Sequence, residues 1–593
     1  MNPHRDLLAA LAAFAGGLSG AALDVAGLIP SSVTWRLADS PVHIQAISSV
    51  ASGATLTIEA GVEVRLYPRV FLAVEGRLIA SGESARPVRF VRHDPATPWR
   101  RIDFLPGGEG SRLTWCEIEG AGNTGNLRAS GTELHLEHVV FRNTTSQAVA
   151  VENSSLTALH CEFPDVINDE QLQIRGLPAD GHARIEGCVF HEGVRSRRVV
   201  DCSGGTRPGP VAEFRDNVFL GSRRDVMAFA GNDAHIEGNV FLNVRQDAAG
   251  ADAVSAIVAG TGPEGVSDLM ICRNLFYHVD HALRLEHGGR AVMQNNTIVH
   301  LPDNPMAPVP VGVLDWDDAG VAGDAAGACL FEGNLVWQVA GERLVTRFSG
   351  QPLVVRHSLL PAAWPGEGNV AGSDPLLMAT GALTAATVRQ GLTLRAGSPA
   401  IGAGPNGLDI GAMVPAGVSL SGEPAGSTTA REARLRVAGP GMVAYRWRVD
   451  GGPWSPEWPL TNGPAFTPML FDDAPPVSLS GLAVAVHRVE AMGRDSAGHW
   501  SDVSTAARSR PWIVREAPLR ILGIVPGREG VELRCDAVAG AMYHLESRSA
   551  LGEAPWTPDP GSLSPTASGS LRLRHAFAAD RGGEYLRIVE TPR

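Results

Sequence analysis

The sequence predicts an all-β chain in which a parallel β-helix is followed by two small β-sandwich modules. Three observations predict this fold. A short sequence motif recurs at least ten times between residues 112 and 360, and the residue pattern changes after residue 415. Glycine (68) and proline (41) are abundant, while aromatic residues make up only 6%. This composition is typical of a turn-rich all-β protein rather than a helical one.

Each copy of the motif contains alternating apolar residues, then Cys, Asn or another small residue, then an apolar residue two positions later. Successive copies are 23, 22, 27, 29, 22, 35, 22, 38 and 24 residues apart, so the basic period is about 22. Such a period indicates a solenoid, because one short unit buries its apolar face only against its neighbours. The small residues are Cys116, Val139, Cys161, Cys188, Asn217, Asn239, Asn274, Asn296, Asn334 and Ser358.

Asparagine at one register position predicts a ladder in which each side-chain amide bonds to the next, about 4.8 Å along the axis. Asparagine also tolerates the left-handed backbone conformation that a tight corner needs. Cys116, Cys161 and Cys188 occupy the same register, where a small apolar side chain can fill the column. A disulfide between neighbouring turns is a further option for an exported chain.

This pattern resembles the right-handed parallel β-helix proteins of the pectin-lyase-like superfamily. Residues 54–92 resemble the first turns of secreted β-helices, and residues 394–412 resemble the closing segment of bacterial ones. The resemblance covers roughly residues 35–413 and implies a right-handed parallel β-helix over residues 23–415. It is specific for fold and uninformative for function, since the scaffold carries lyases, hydrolases, adhesins and spacers.

The N-terminal segment is typical of a secretory signal peptide, with Arg5, an apolar run over residues 7–22 and a cleavage position after Ala22. We therefore expect a secreted or cell-surface protein without a membrane span, and a monomer. The net charge of −13 and pI near 5.8 argue against a nucleic-acid partner. The chain contains no lysine, which excludes any mechanism that depends on a lysine base.

Two C-terminal modules are predicted, at residues 416–514 and 515–593. The first resembles immunoglobulin-like or fibronectin-like modules and has a Gly-Gly hairpin turn at residues 451–452. The second is predicted as a small β-sandwich from its alternating segments. Four tryptophans of the first module could form a sugar-stacking surface, although burial in the sandwich is the favoured interpretation; they are Trp447, Trp454, Trp458 and Trp500.

Long insertions at residues 245–265 and 302–327 lie on either side of a short turn that contains residues 277–293. Similar strands follow the corners there, and in a shared register Asp225, Asp252 and Asp280 would stack on consecutive turns. Three stacked carboxylates require a cation, arginine partners or raised pKa values. One reading is therefore a calcium site made of these three aspartates.

A second reading is catalytic and places the site at Asp225, Asp252, Asp280, Arg284 and Glu286, with His281 or His287 assisting. The resemblance to calcium-dependent pectate lyases implies an arginine base, and a carboxyl pair would suit a hydrolase. The alternative is a purely structural role, in which the aspartates cap turns and pair with arginines. The acidic run at residues 314–324 is similarly interpreted as a solvated surface loop rather than a cation site.

Three functions stay open at this point. The favoured one is a secreted or surface protein that binds polysaccharide, acidic or neutral, without cleaving it. The first alternative is a calcium-dependent polysaccharide lyase or glycoside hydrolase acting on acidic polysaccharide. The second is a rod-like adhesin that presents the solenoid to another protein.

Overall fold

The computed structural model describes most of the chain beyond residue 21. The described residues are 22–122, 125–205, 207, 209–246, 253–260, 265–300, 312–317, 327–337, 343–347, 352–379, 381–460, 476–549, 555–561, 563–576 and 585–592. Most of the predicted signal peptide, Asp252 and much of the two insertions lie outside these residues.

The solenoid region is built from short strands. In chain order they are β1 (Leu23–Ile29), β2 (Val33–Trp35), β3 (Val42–Val50), β4 (Thr55–Ile58), β5 (Glu63–Leu66), β6 (Leu72–Val74), β7 (Arg77–Ser81), β8 (Val88–Arg92), β9 (Ile102–Phe104), β10 (Ser111–Glu119), β11 (Leu127–Ser130), β12 (Glu133–Arg142), β13 (Val149–Glu152), β14 (Ser155–Leu159), β15 (Glu162–Phe163), β16 (Glu170–Arg175), β17 (Ala183–Glu186), β18 (Val189–Phe190), β19 (Arg198–Ser203), β20 (Ala212–Arg215), β21 (Val218–Phe219), β22 (Met227–Ala230), β23 (Ala234–Glu237), β24 (Val240–Val244), β25 (Ser255–Ala259), β26 (Asp268–Cys272), β27 (Leu275–Val279), β28 (His281–Glu286), β29 (Arg290–Gln294), β30 (Thr297–Val299), β31 (Gly312–Asp317), β32 (Ala328–Glu332), β33 (Leu335–Trp337), β34 (Arg343–Thr346), β35 (Leu353–Arg356), β36 (Leu359–Leu360) and β37 (Val370–Ala371).

The remaining elements follow the solenoid, apart from a 3-10 helix at Leu37–Asp39. They are helix α1 (Val388–Gly391), 3-10 helices at Pro405–Gly407 and Val503–Thr505, and strands β38 (Ser419–Ser421), β39 (Ser427–Thr428), β40 (Ala433–Ala438), β41 (Met442–Val449), β42 (Trp458–Pro459), β43 (Val477–Leu479), β44 (Val486–His487), β45 (Val489–Asp495), β46 (Ala507–Arg508), β47 (Trp512–Val514), β48 (Ile521–Pro526), β49 (Gly530–Ala537), β50 (Ala541–Arg548), β51 (Thr557–Pro558), β52 (Gly569–Ala576) and β53 (Tyr585–Pro592). No helix among the described residues is both long and apolar enough to cross a membrane.

The chain divides into two compact units, and each contains part of the solenoid. Unit 1 comprises Met1–Pro210 and Asn217–Ala228, and unit 2 comprises Val211–Asp216 and Phe229–Arg593. In unit 2 the strands pair in parallel as three sheets, β20-β23-β26-β29-β32-β35, β24-β27-β30-β33-β36-β37 and β25-β28-β31-β34. In unit 1 the pairing is also parallel, as in β9-β11-β13-β16-β19. The predicted parallel β-helix is therefore confirmed.

The predicted asparagine ladder is present in unit 2. Asn296 Oδ1 accepts hydrogen bonds from the backbone N and the Nδ2 of Asn274, both at 3.0 Å. Asn296 in turn donates both groups to Asn334 Oδ1, at 2.8 and 2.9 Å, and its Nδ2 also lies 3.0 Å from Ile271 O. These amides are buried, so the ladder satisfies backbone groups that strand pairing leaves open at the corner.

Cysteine occupies the equivalent position of the repeat in unit 1. The backbone N of Cys161 donates to Cys188 Sγ at 3.3 Å, and the backbone N of Cys188 donates to Asn217 Oδ1 at 2.9 Å. All seven cysteines of the chain are buried free thiols. The inward position predicted for Cys116, Cys161 and Cys188 is therefore confirmed, and the thiol substitutes for the amide as an acceptor.

The left-handed residue of the corner is the one before the ladder residue, which corrects the expectation that asparagine itself adopts this conformation. Trp115, His138 and His160 have φ values of 50°, 54° and 53°, and each precedes a ladder position. Their rings stack, with centroids 3.8 and 5.1 Å apart. At the next corner a Cβ on Gly187 would lie 2.4 Å from His160 Nδ1, so only glycine fits there.

The C-terminal region contains two separate apolar cores. The first is formed within residues 418–514 and the second mainly within residues 513–588. Strand β47 contributes to both, because Trp512 and Val514 pack in the first core and Ile513 packs in the second. Small sheets surround these cores, for example β42-β41-β45-β46 in the first and β48-β49-β52 in the second.

The first module packs on the solenoid within unit 2, and one arginine joins three carboxylates at the contact. Arg215 Nε lies 2.9 Å from Glu213 Oε2, and its Nη2 lies 2.6 Å from Asp495 Oδ2. Its Nη1 also donates to Glu237. Asp495 ends strand β45 of the module, whereas Glu213 and Arg215 belong to the solenoid strand β20. We call this set, with His235, the junction network.

Glu237 is the second centre of the junction network. Its Oε2 lies 3.0 Å from His235 Nε2 and its Oε1 lies 3.0 Å from Arg273 Nη1. His235 Nδ1 lies 2.7 Å from Ser496 Oγ in the module. Burial alone would raise the pKa of Glu237, but His235 and the guanidinium groups of Arg215 and Arg273 outweigh it and lower the pKa from 4.5 to about 2.

We expect Asn296→Ala to destabilise the protein by about 3 kcal/mol, because it leaves buried ladder groups such as the amide of Asn274 without a partner. The measurement is the free energy of unfolding from urea titration. Gln390→Ala, which removes an exposed side-chain amide in α1, is the matched control and should cost less than about 0.5 kcal/mol. Equal losses in the two variants would contradict the structural role of the ladder.

Glu237→Gln should remove a pH-dependent part of the stability. Because the pKa of Glu237 is lowered from 4.5 to about 2, its contribution is complete above pH 4.5 and disappears as the pH falls toward 2. We expect an advantage of the native chain over this variant on the order of 3 kcal/mol at pH 7, shrinking over that interval. Urea titrations at pH 7, 4.5 and 3 measure it, with the exposed Glu516→Gln as control. A difference independent of pH would refute the assignment.

Candidate functional site

The structure describes four of the five residues predicted for the site. Asp225 is half-buried just before β22 in unit 1, whereas Asp280, Arg284 and Glu286 belong to unit 2. Asp252 lies outside the described residues. The calcium and catalytic roles assigned to these residues therefore stay predictions.

Asp280 lies inside its turn, with only 1% of its surface exposed. Its Oδ2 accepts hydrogen bonds from the backbone N of Gln246 at 2.9 Å and of Val254 at 3.3 Å, and Arg245 Nε lies 3.8 Å from Oδ1. Burial raises the pKa of Asp280, against the opposing effect of these two amides and Arg245. In this position the carboxyl group anchors the chain that leads into β25.

Arg284 and Glu286 lie on the opposite face of β28 from Leu283 and Leu285, which are buried in the solenoid interior. Arg284 Nε and Glu286 Oε1 are 2.6 Å apart, and the two side chains are 14% and 17% exposed. Strand register brings Arg284 level with Asp315 of the next turn. The outward side of this sheet is therefore polar.

Asp315 is the site residue that the sequence did not reveal. It belongs to β31, is 3% exposed and is level with Thr346 of the following turn. Its Oδ1 accepts hydrogen bonds from Thr346 Oγ1 and Arg347 Nε, both at 2.8 Å. Burial would raise the pKa of Asp315, but Arg347, His281 and Thr346 lower it, so this carboxylate stays ionised.

The strand that carries Asp315 also corrects the interpretation of residues 314–324 as a solvated loop. Gly312–Asp317 pairs in parallel with β28 and β34, and Leu314 and Trp316 are each 1% exposed. A usable signal was the alternation of Val313 to Trp316, in which two apolar residues flank an aspartate. The remainder of that run, residues 318–324, lies outside the described residues.

Together these side chains form a polar face on consecutive turns of one sheet. We use this name for Arg284, Glu286, Asp315, Thr346 and Arg347, with His281 beside them through a 3.3 Å contact between its Nε2 and Thr346 Oγ1. Neighbouring turns are about 4.8 Å apart, so a guanidinium group, a carboxylate and a hydroxyl group follow one another along the axis. Such an array can bond a polyhydroxylated chain that runs across several turns.

We expect Asp280→Ala to destabilise the protein by about 3 kcal/mol, because the amides of Gln246 and Val254 lose their acceptor. Asp280→Asn keeps an oxygen acceptor and removes a buried negative charge, which burial disfavours because it raises the pKa of Asp280. This variant should therefore lose about 1 kcal/mol of stability or less. Urea titration of both variants at pH 7 measures the difference. An asparagine variant as unstable as the alanine variant would contradict the anchoring role.

The solved structures that resemble the chain include an alginate lyase and a bacteriophage tailspike protein. Alginate lyase from Paenibacillus sp. str. FPU-7 is 13% identical over 50% of this chain and 92% of that chain, with a TM-score of 0.19. A mutant tailspike protein of E. coli bacteriophage HK620, in complex with a pentasaccharide, is 11% identical over 82% of this chain and 86% of that chain, with a TM-score of 0.29. No protein-family model matches the sequence, and no curated protein matches it either. At such low TM-scores neither likeness carries an argument about function, and the fold assignment rests on the strand pairing itself.

Proposed function

We propose that this protein binds polysaccharide along the polar face of its solenoid and does not cleave it. The observation that supports the proposal is the stacking of charged and hydroxyl side chains on consecutive turns, with Arg284 level with Asp315 and Asp315 level with Thr346. A polysaccharide is the ligand class that offers hydroxyl groups at regular intervals along an extended chain. A solenoid sheet places hydrogen-bonding side chains at regular intervals, once per turn, and can match such a ligand.

The chemistry of the face suits hydroxyl groups, which both donate and accept hydrogen bonds. The carboxylate of Glu286 accepts, and the guanidinium groups of Arg284 and Arg347 donate in a planar fork, with Arg347 held by the buried Asp315. Arg347 is the most accessible of them, with 53% of its side chain exposed, and bonds Asp315 from the following turn. It is the group that an approaching ligand reaches first.

The ion pairs of the polar face favour binding over hydrolysis. Among the described members of the polar face, both carboxyl groups are bonded to guanidinium groups, Glu286 to Arg284 and Asp315 to Arg347. A glycoside hydrolase needs one carboxyl group that stays protonated near neutral pH to act as the acid. Ion pairing has the opposite effect, as the lowered pKa of Asp315 illustrates. A guanidinium held by a carboxylate is likewise a poor base.

One observation favours the alternative, a lyase acting on acidic polysaccharide. His281 lies close enough to Asp315 to lower its pKa, and imidazole is a suitable base near neutral pH. In that scheme a guanidinium group, or a calcium ion at the predicted aspartates, would neutralise the substrate carboxylate. The rod-like adhesin stays the remaining alternative.

The proposal includes export. The predicted signal peptide and the turn-rich, module-bearing architecture are typical of proteins that act outside the cell. The two C-terminal modules would then act as spacers or attachment points.

The decisive measurement is the binding of the purified mature chain to a panel of acidic and neutral polysaccharides, with calcium and with chelator. Unsaturated uronate absorbance and new reducing ends are followed in the same samples. We expect saturable binding without either product. Arg347→Ala and Arg284→Ala should each weaken binding about tenfold or more, since each removes charge-assisted hydrogen bonds.

Arg128→Ala is the matched control, because Arg128 forms a comparable ion pair with Glu152, at 3.0 Å, elsewhere on the solenoid. It should bind as the native chain does. Binding that all three variants retain would refute the polar face as the binding site. Uronate absorbance that disappears with chelator would establish a calcium-dependent lyase, and reducing ends alone would establish a hydrolase.

A further inference from the structure

A second concave site lies within unit 2, beside the junction network. It is a cavity of about 390 Å³ between solenoid strands β20 and β23 and the first C-terminal module. Arg215 and Glu237 line it from the solenoid, and Asp495, His499 and Trp500 line it from the module. Its volume falls in the range of small-molecule sites.

The polar side of the cavity presents several acceptors close together. His499 Nδ1 lies 3.4 Å from Glu213 Oε2 and 3.7 Å from Asp495 Oδ2, and His499 is 62% exposed at the opening. The side chains of Asp495 and Glu237 are only 7% and 11% exposed. Arg215 holds both in place, so these acceptors are fixed before any ligand arrives.

The apolar side is formed by Trp500 and by aliphatic and thioether side chains such as Met442. Arg446 lies over the Trp500 ring at 4.6 Å from its centroid, which fixes the orientation of the indole. The sequence predicts that Trp500 is buried in the sandwich core. In the structure it is only half-buried and lies at the cavity wall. A fixed indole beside fixed carboxylates combines a stacking surface with hydroxyl acceptors.

We propose that this cavity binds a single neutral sugar ring. The apolar face of the ring would pack on Trp500, and its hydroxyl groups would bond the carboxylates of Asp495 and Glu237 and the guanidinium of Arg215. The lining contains two carboxylates, Asp495 and Glu237, and one guanidinium, Arg215, so a carboxylate on the ring would lie against groups that repel it. A uronate should therefore bind less well than its neutral counterpart.

A metal ion is a poorer occupant of the same place. Glu213, Asp495 and His499 offer ligand atoms within 4.8 Å of one another. However, Glu213 Oε2 and Asp495 Oδ2 already bond Arg215, at 2.9 and 2.6 Å, so a cation is in place. A metal would have to displace this guanidinium and leave it without its buried carboxylate partners.

The sugar cavity does not depend on the proposed polysaccharide face, because the two sites share no residue. The test uses the full mature chain and saturation-transfer NMR with galactose, glucose, N-acetylglucosamine and galacturonate. We expect saturable binding of at least one neutral sugar and at least threefold weaker binding of galacturonate. Trp500→Ala should weaken the binding tenfold or more. Thr505→Trp, at an exposed residue of the lining, should block the cavity and leave the ion pairs intact.

Trp454→Ala is the matched control, since Trp454 stacks under Arg448 in the same module, at 4.6 Å, and does not line the cavity. Circular dichroism and the melting temperature verify that each variant is folded. Arg347→Ala should leave sugar binding unchanged, which separates this result from the polar face. The proposal is overturned if none of the four sugars binds saturably, if galacturonate binds best, or if Trp500→Ala and Thr505→Trp both bind as the native chain does.

Discussion

The stacking of one turn on the next in exact register is the constraint on which the rest of the molecule depends. The three sheets supply most of the hydrogen bonds, but each corner leaves amide groups that no strand pairs. Buried side chains supply the missing acceptors within each unit: asparagine amides such as Asn274, Asn296 and Asn334 in unit 2, and thiols such as Cys188 in unit 1. A slip of one residue would break these hydrogen bonds and turn the polar face inward. Register, interior packing and the outward site are therefore specified together.

The two candidate sites follow from this register in different ways. The polar face consists of residues that strand pairing aligns on consecutive turns, such as Arg284 and Asp315. The junction network combines the outward side of another sheet with a module that follows much later in the chain. Arg215 and Asp495, whose side chains lie 2.6 Å apart, are 280 residues apart in the sequence. The first site arises from the repeat itself. The second arises because a C-terminal module packs against the repeat.

The sequence was informative wherever the repeat was regular. The period and the recurring Asn and Cys predicted the parallel solenoid and the identity of the ladder residues. The left-handed corner position was hidden because residues as different as Trp115, His138 and Gly187 occupy it. Asp315 was missed because it lies within the stretch interpreted as an insertion, residues 302–327, where spacing no longer fixes register. Asp280 looked like a surface ligand because a sequence does not show that the amides of Gln246 and Val254 turn toward it. The junction network could not be predicted, since no local pattern relates Glu213 and Arg215 to Asp495.

The seven free thiols have a consequence for experiment. They are all buried, and they are distributed over both units and the second C-terminal module, at positions such as Cys161, Cys329 and Cys535. A thiol-specific reagent reaches each one only when the surrounding structure opens. The rate of labelling at each cysteine thus reports the local opening free energy of its own part of the chain. Comparing the labelling rates of these native cysteines would show whether the solenoid unfolds from one end or opens cooperatively.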